Sequence, residues 1–264
     1  MDGDTLECRP KFSKQRVGSS RTKPKLNKTQ IKLANKSRTK SNKPEITKEN
    51  LSRVSLKPRQ QEYKNIIMSN KITFCHGPAG TSKTFTTIFS ALELLAEQKI
   101  SQIILTKPIQ ESGEKLGFLP GDVDEKIKPF MESYVDNLTQ ILGRDLTGWL
   151  LATGIIKYEP LAYMRGRTFH DSIMILDETQ NADFRQLMLF VSRMGKGGKM
   201  VVSGDVSQYD IEKNKVALPS FVKMLEGIEG IGHFVFEKSD IMRDKIIIEI
   251  TDRYEKWKSE NHKL

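Results

Sequence analysis

The chain has 264 residues, with 43 Lys and Arg against 33 Asp and Glu, a formal net charge of +10 and a mean hydropathy of -0.47. The basic excess lies at one end: residues 1–59 hold 17 Lys and Arg against 5 Asp and Glu, and the remainder is close to neutral. Two cysteines, Cys8 and Cys75, and no apolar run near 18 residues argue against a disulfide scaffold, a secretory leader or a membrane span, so a soluble cytoplasmic chain with reduced thiols is expected.

Residues 1–57 scatter Lys, Arg, Ser, Thr and Asn without helical or strand periodicity. So little apolar surface does not offset the entropy of ordering, and a disordered basic tail is expected. That composition fits a solubilising extension, and it equally fits contact with nucleic-acid phosphates through counterion release. From Pro58 the texture changes, and residues 58–264 read as one domain.

A short helix opens at Pro58, with Tyr63, Ile66 and Ile67 on one face. Apolar or β-branched runs predict strands at residues 72–75, 102–106, 155–158, 173–176, 200–203 and 233–236. Helical patterns fall at 83–97, at 123–142 and from 241 to about 258. A long connection with Gly113, Gly117, Pro120 and Gly121 separates the second strand from the helix at 123. Strands alternating with helices imply right-handed crossovers and a mainly parallel sheet covered on both faces.

Gly77-Pro78-Ala79-Gly80-Thr81-Ser82-Lys83-Thr84 lies between a predicted strand and a predicted helix, the setting of a phosphate-binding loop. Backbone N–H groups of such a loop, the helix N-terminus and the Lys83 ammonium suit the phosphates of ATP, and the Thr84 hydroxyl suits Mg²⁺. Ser82 stands where the pattern has glycine. If that position needs φ > 0, serine costs about 1–3 kcal/mol; if it is helical, serine costs little.

Residues 173–176 form an apolar strand ending in Asp177 and Glu178. In a parallel sheet that pair arrives at the edge carrying the phosphate loop. Asp177 suits the Mg²⁺ shell, and Glu178 suits orienting or deprotonating the attacking water. A second strand ends in Ser203-Gly204-Asp205-Val206-Ser207-Gln208, where Asp205 and Gln208 could sense the γ-phosphate. Arg165, Arg167 and Arg243 are candidates for stabilising transition-state charge, Arg243 first among them. His76, His170, His233 and His262 are scattered and predict no metal site.

Together these runs, with 105–108, 113–122, 161–168 and 176–181, make the segment 74–211 resemble a PhoH-family ATPase, a relative of the superfamily 1 helicase core. The resemblance implies a single RecA-like P-loop domain, ATP and Mg²⁺ binding, and action on RNA or single-stranded DNA. By similarity to helicases Gln60 corresponds to the glutamine that reads adenine, with Tyr63 packing beside it. Lys107 stands where the family usually has arginine, so a bidentate contact there would become a point charge. Helicases of that group close ATP between two such units, and this chain is too short for a second. A homo-oligomer, as a hexameric ring with a neighbour's arginine completing each site, is therefore expected. Two other readings remain open: a nucleotide-dependent scaffold with little hydrolysis, and a small-molecule P-loop kinase.

Overall fold

The predicted strands are apolar on both sides of the pleat, which suits strands covered on both faces. The computed structural model describes residues 46–108, 123–205 and 217–261, and within them the prediction of six strands holds. They are β1 (Ile72–His76), β2 (Gln102–Thr106), β3 (Ile156–Tyr158), β4 (Ser172–Leu176), β5 (Lys199–Gly204) and β6 (Ile231–Val235). The sheet order is β3-β2-β4-β5-β1-β6, and every pairing is parallel.

Helices α1 (Lys48–Leu51), α2 (Pro58–Ser69), α3 (Lys83–Ala96), α4 (Val123–Leu142) and α5 (Arg144–Ala152) precede β3. Helix α6 (Phe184–Val191) follows β4, α7 (Leu218–Met224) follows β5, and α8 (Lys245–Asn261) closes the described chain. Strand alternation sorts the core in two. Cys75, Ile103, Ile173, Ile175 and Val201 face one way, against Tyr63 and Ile67 of α2, Ile88 and Leu92 of α3 and Leu138 of α4. Phe74, Ile104, Met174, Leu176 and Val202 face the other, against Leu187 and Phe190 of α6 and Phe221 of α7. The result is the α/β arrangement predicted, with helices on both faces of a sheet whose described strands are all parallel rather than mainly so.

Most strand and helix ends fall within a residue of the sequence reading, and three boundaries differ by more. Residues 46–57, placed in the tail, carry α1, bury Leu51 and pack Ile46, Val54 and Leu56 against the first core layer. These four side chains recover apolar area only by tertiary contact, which a local pattern does not reveal. Strand β6 starts two residues earlier than predicted and ends at Val235, although the Phe236 N–H still donates to His76 O at 2.9 Å. The last helix begins at Lys245 rather than residue 241, because Ile241 is extended (φ -65, ψ 127) and the Met242 N–H that follows donates to Gly80 O at 2.9 Å.

Candidate nucleotide site at the carboxyl edge of the sheet

Parallel strands deliver their carboxyl ends to one edge, so the loop after β1 meets the residues that end β4 and β5. Gly77 has φ +150, and a Cβ there would lie 2.5 Å from Phe236 O, so no side chain fits. Gly80 (φ +84) packs directly against the Arg243 side chain, where a Cβ would stand 2.8 Å from Nε. Ser82 takes φ 65 and ψ 31, the left-handed region, so the costlier of the two alternatives for this serine applies.

Helix α3 starts immediately afterwards without a side-chain cap. Its first-turn N–H groups and the positive end of its dipole are thereby available to an anion. Lys83 is buried, and its Nζ donates to Gly77 O at 2.7 Å and Pro78 O at 2.9 Å. The ammonium is held within the loop on neutral carbonyls, from which phosphate oxygens can draw it. Thr81 Oγ1 donates to Pro78 O at 2.9 Å and braces the turn.

Asp177 is the junction of the edge. One carboxylate oxygen accepts from Thr84 Oγ1 at 2.6 Å, the other from Ser203 Oγ at 2.7 Å, and the residue is 3% exposed. Glu178 is exposed and sits at φ 56 on the sharp turn after β4. Its Oε2 accepts from Gln180 Nε2 at 2.7 Å, while Gln180 Oε1 accepts the Asp205 N–H at 2.9 Å. Asp205 in turn accepts the Ala79 N–H at 2.8 Å. A continuous hydrogen-bonded circuit therefore joins Glu178, through Gln180 and Asp205, to the phosphate loop. Beneath it, burial and then the Asp177 charge hold the Tyr134 phenol well above its usual range, so it stays a donor to Thr106 O at 2.9 Å.

A cavity of about 750 Å³ opens over these groups, lined by Lys83, Thr84, Asp177, Glu178 and Asp205. Gln60, Met242 and Arg243 line it too, so the glutamine of α2 shares the cavity with the loop. Tyr63 is not beside the cavity but fully buried in the core, stacked on Phe234 and bonded through its hydroxyl to Thr87 at 2.9 Å. Arg243 reaches the loop of its own chain. Arg167 does not line the cavity: it pairs with Glu159 at 2.5 Å and lies over the Phe169 ring. Lys107 donates to Ser133 Oγ at 2.7 Å and covers the Tyr134 ring. Gln208, like residues 113–122, lies outside the described residues.

Sequence reasoning missed Arg53, Val54, Ser55 and Lys57, which line the cavity from the segment assigned to the tail. It also missed Gln180 as a tether, although that residue stands in the Asp177-Glu178-Thr179-Gln180 run, and Met242, for which no sequence signal exists. Thr84 and Asp177 fit Mg²⁺: a hydroxyl and a carboxylate are hard oxygen donors already side by side. Among the described residues no group of three or more His, Cys, Asp or Glu could hold a metal ion. No described helix is long and apolar enough to cross a membrane.

A family model described as PhoH-like protein matches residues 54–255. A PhoH-like protein of Bacillus subtilis (strain 168) is 43% identical over 198 residues, covering 75% of this chain and 62% of that protein. Protein PhoH of Escherichia coli (strain K12) is 36% identical over 190 residues, covering 71% and 54%. The chain thus spans less than two thirds of the length of either relative. Among solved structures, the large terminase from a thermophilic bacteriophage overlaps at a TM-score of 0.46 and 14% identity, covering 76% of this chain and 50% of that one. Pif1 helicase from Candida albicans overlaps at 0.39 and 15%, covering 76% and 44%.

Proposed function

The chain belongs to the PhoH-like protein family, and from that premise we propose that it binds and hydrolyses ATP in a cycle coupled to RNA or single-stranded DNA. The observation that carries the hydrolytic reading is Asp177, fixed between the Thr84 and Ser203 hydroxyls with Glu178 beside it on the same cavity.

The phosphates rest on Gly77, Pro78, Ala79, Gly80, Thr81 and Ser82, with the α3 N-terminus beneath them. Lys83 exchanges the Gly77 and Pro78 carbonyls for phosphoryl oxygens. Thr84 and Asp177 would hold Mg²⁺, which when bound neutralises charge on the β- and γ-phosphoryl oxygens. Glu178 accepts a proton from the attacking water, or orients it, with its carboxylate steadied by Gln180. Arg243 supplies positive charge beside Gly80 in cis, and Gln60 faces the base end of the cavity. Gln208 keeps its sequence-based role of γ-phosphate sensing, and Arg167, which does not line this chain's cavity, keeps that of nucleic-acid grip or of charge stabilisation at a neighbouring subunit's site.

The basic residues before 44 are the nucleic-acid contact in this reading, and the active assembly is a homo-oligomer, a hexameric ring. Steady-state phosphate release tests it, with RNA, with single-stranded DNA and without either, using Lys83→Ala and Glu178→Gln as controls. Stimulation by a nucleic acid supports the motor reading. Binding without release at any condition would leave a scaffold, the outcome that strain at Ser82 favours, and transfer only to a small acceptor would indicate a kinase.

A further inference from the structure

Three parts of the cleft meet at one sulfur. Met242 Sδ accepts from Ser82 Oγ at 3.3 Å and lies 3.6 Å from Gln60 Nε2, while the Met242 N–H donates to Gly80 O at 2.9 Å. The side chain is 43% exposed on the cavity wall, so it is not simply core filling. Its backbone is held from outside as well. Arg59 reaches from α2 to Val235 O at 2.7 Å and to Asp240 at 3.4 Å, fixing the chain just before Met242.

Ser82 needs such a partner. At φ 65 its side chain projects where a glycine would leave space, and its hydroxyl does not cap α3. The thioether receives that hydroxyl instead and opposes relaxation of the loop to a commoner backbone conformation. Gln60 is fixed by the same contact: its Oε1 accepts the Lys57 N–H at 2.8 Å, one Nε2 hydrogen faces the sulfur, and Nε2 carries a second that a ring nitrogen of a base can accept.

We infer that Met242 is a positioning residue of the nucleotide site, whose thioether ties the phosphate-loop serine to the base-facing glutamine. The inference rests on reading the cleft as an ATP site. It assigns the tolerance of serine at position 82 to a residue 160 positions away.

The test is titration of the full chain with a fluorescent ATP analogue, comparing Met242→Leu, Ser82→Gly and the double variant with the unsubstituted protein. Leucine keeps the bulk and removes the acceptor; each variant's thermal melt is recorded alongside. Met242→Leu should weaken binding about fivefold when Ser82 is present and less than about twofold when position 82 is glycine, a coupling typical of residues in contact. The loss should fall on KM with kcat little changed, since it acts through the loop and not on the attacking water. Equal losses in the two backgrounds, with saturable binding throughout, overturn the Met242 role and leave the site intact. No saturable binding by the unsubstituted protein overturns both.

Discussion

Ser82 and Glu178 are both non-glycine residues in the left-handed region, at φ 65 and φ 56, and both border the same cavity. Strain of that kind persists where surrounding bonds over-determine it. For Glu178 those bonds are the Gln180 tether and the strand end behind it. Glu178→Gln keeps the shape and removes the base, so phosphate release should fall by about 10²–10⁴-fold while ATP-analogue affinity is retained. A comparable fall in affinity would mean that the carboxylate is needed for the loop's shape. Lys83→Ala should instead abolish binding, because the loop then loses its buried ammonium. Cys75 shows the contrary case of a group that chemistry does not use. Burial first, and the neighbouring Asp177 charge in part, push its thiol up to about 12, although Tyr63 and Lys83 oppose this. Thiol reagents should therefore label Cys75 only once the chain is unfolded, by mass spectrometry at neutral pH.

The segment 46–57 is the element that pattern alone could not find. Helix α1 is a single turn, shorter than any window in which periodicity can be read, and its Leu51 is interrupted by polar neighbours. Strands were legible because each is a continuous apolar run stopped by a polar edge, and the loop and the Asp177-Glu178 pair because backbone chemistry dictates their residues. Met242 and Arg53 were not, since their places depend on contacts across the fold. The segment is held to α3 partly by Glu97, whose carboxylate bonds Lys99 and then Lys48, each at 2.9 Å. These hydrogen bonds lower its pKa from 4.5 to about 2. A depressed carboxylate contributes above its unfolded pKa and loses that contribution as pH falls through the folded one. Hydrogen exchange in residues 46–57 should therefore rise as pH drops from about 4.5 towards 2, after correction for intrinsic exchange. Glu97→Gln should remove this acid-dependent component and loosen the segment modestly near neutrality, because surface pairs are screened. An unchanged pH profile in the variant would mean that apolar packing of Leu51 and Val54 alone holds it.

Charge divides the molecule at about residue 43, ahead of the change of sequence texture at Pro58. Residues 1–43 hold 13 Lys and Arg against 3 Asp and Glu, a net of +10 that equals the net charge of the whole chain. The remainder is neutral overall, so long-range attraction for a polyanion must come mainly from those residues. Because residues from the 46–57 segment line the ATP cavity, a deletion meant to isolate the basic end has to stop at 43. The truncated chain should keep its unstimulated phosphate release. Its affinity for RNA or single-stranded DNA should fall by about tenfold or more at low salt. The slope of log affinity against log salt should also flatten, since each phosphate neutralised on a single strand adds about 0.7 to it. Titration of stimulated phosphate release at several salt concentrations measures both. A slope unchanged by the deletion would move the nucleic-acid contact onto the folded domain, where cations such as Arg165 and Lys107 would have to carry it. The same samples report assembly by light scattering. A monomer with undiminished turnover under ATP would remove the hexamer from the mechanism and leave Arg243, already against its own loop, as a cis-acting charge.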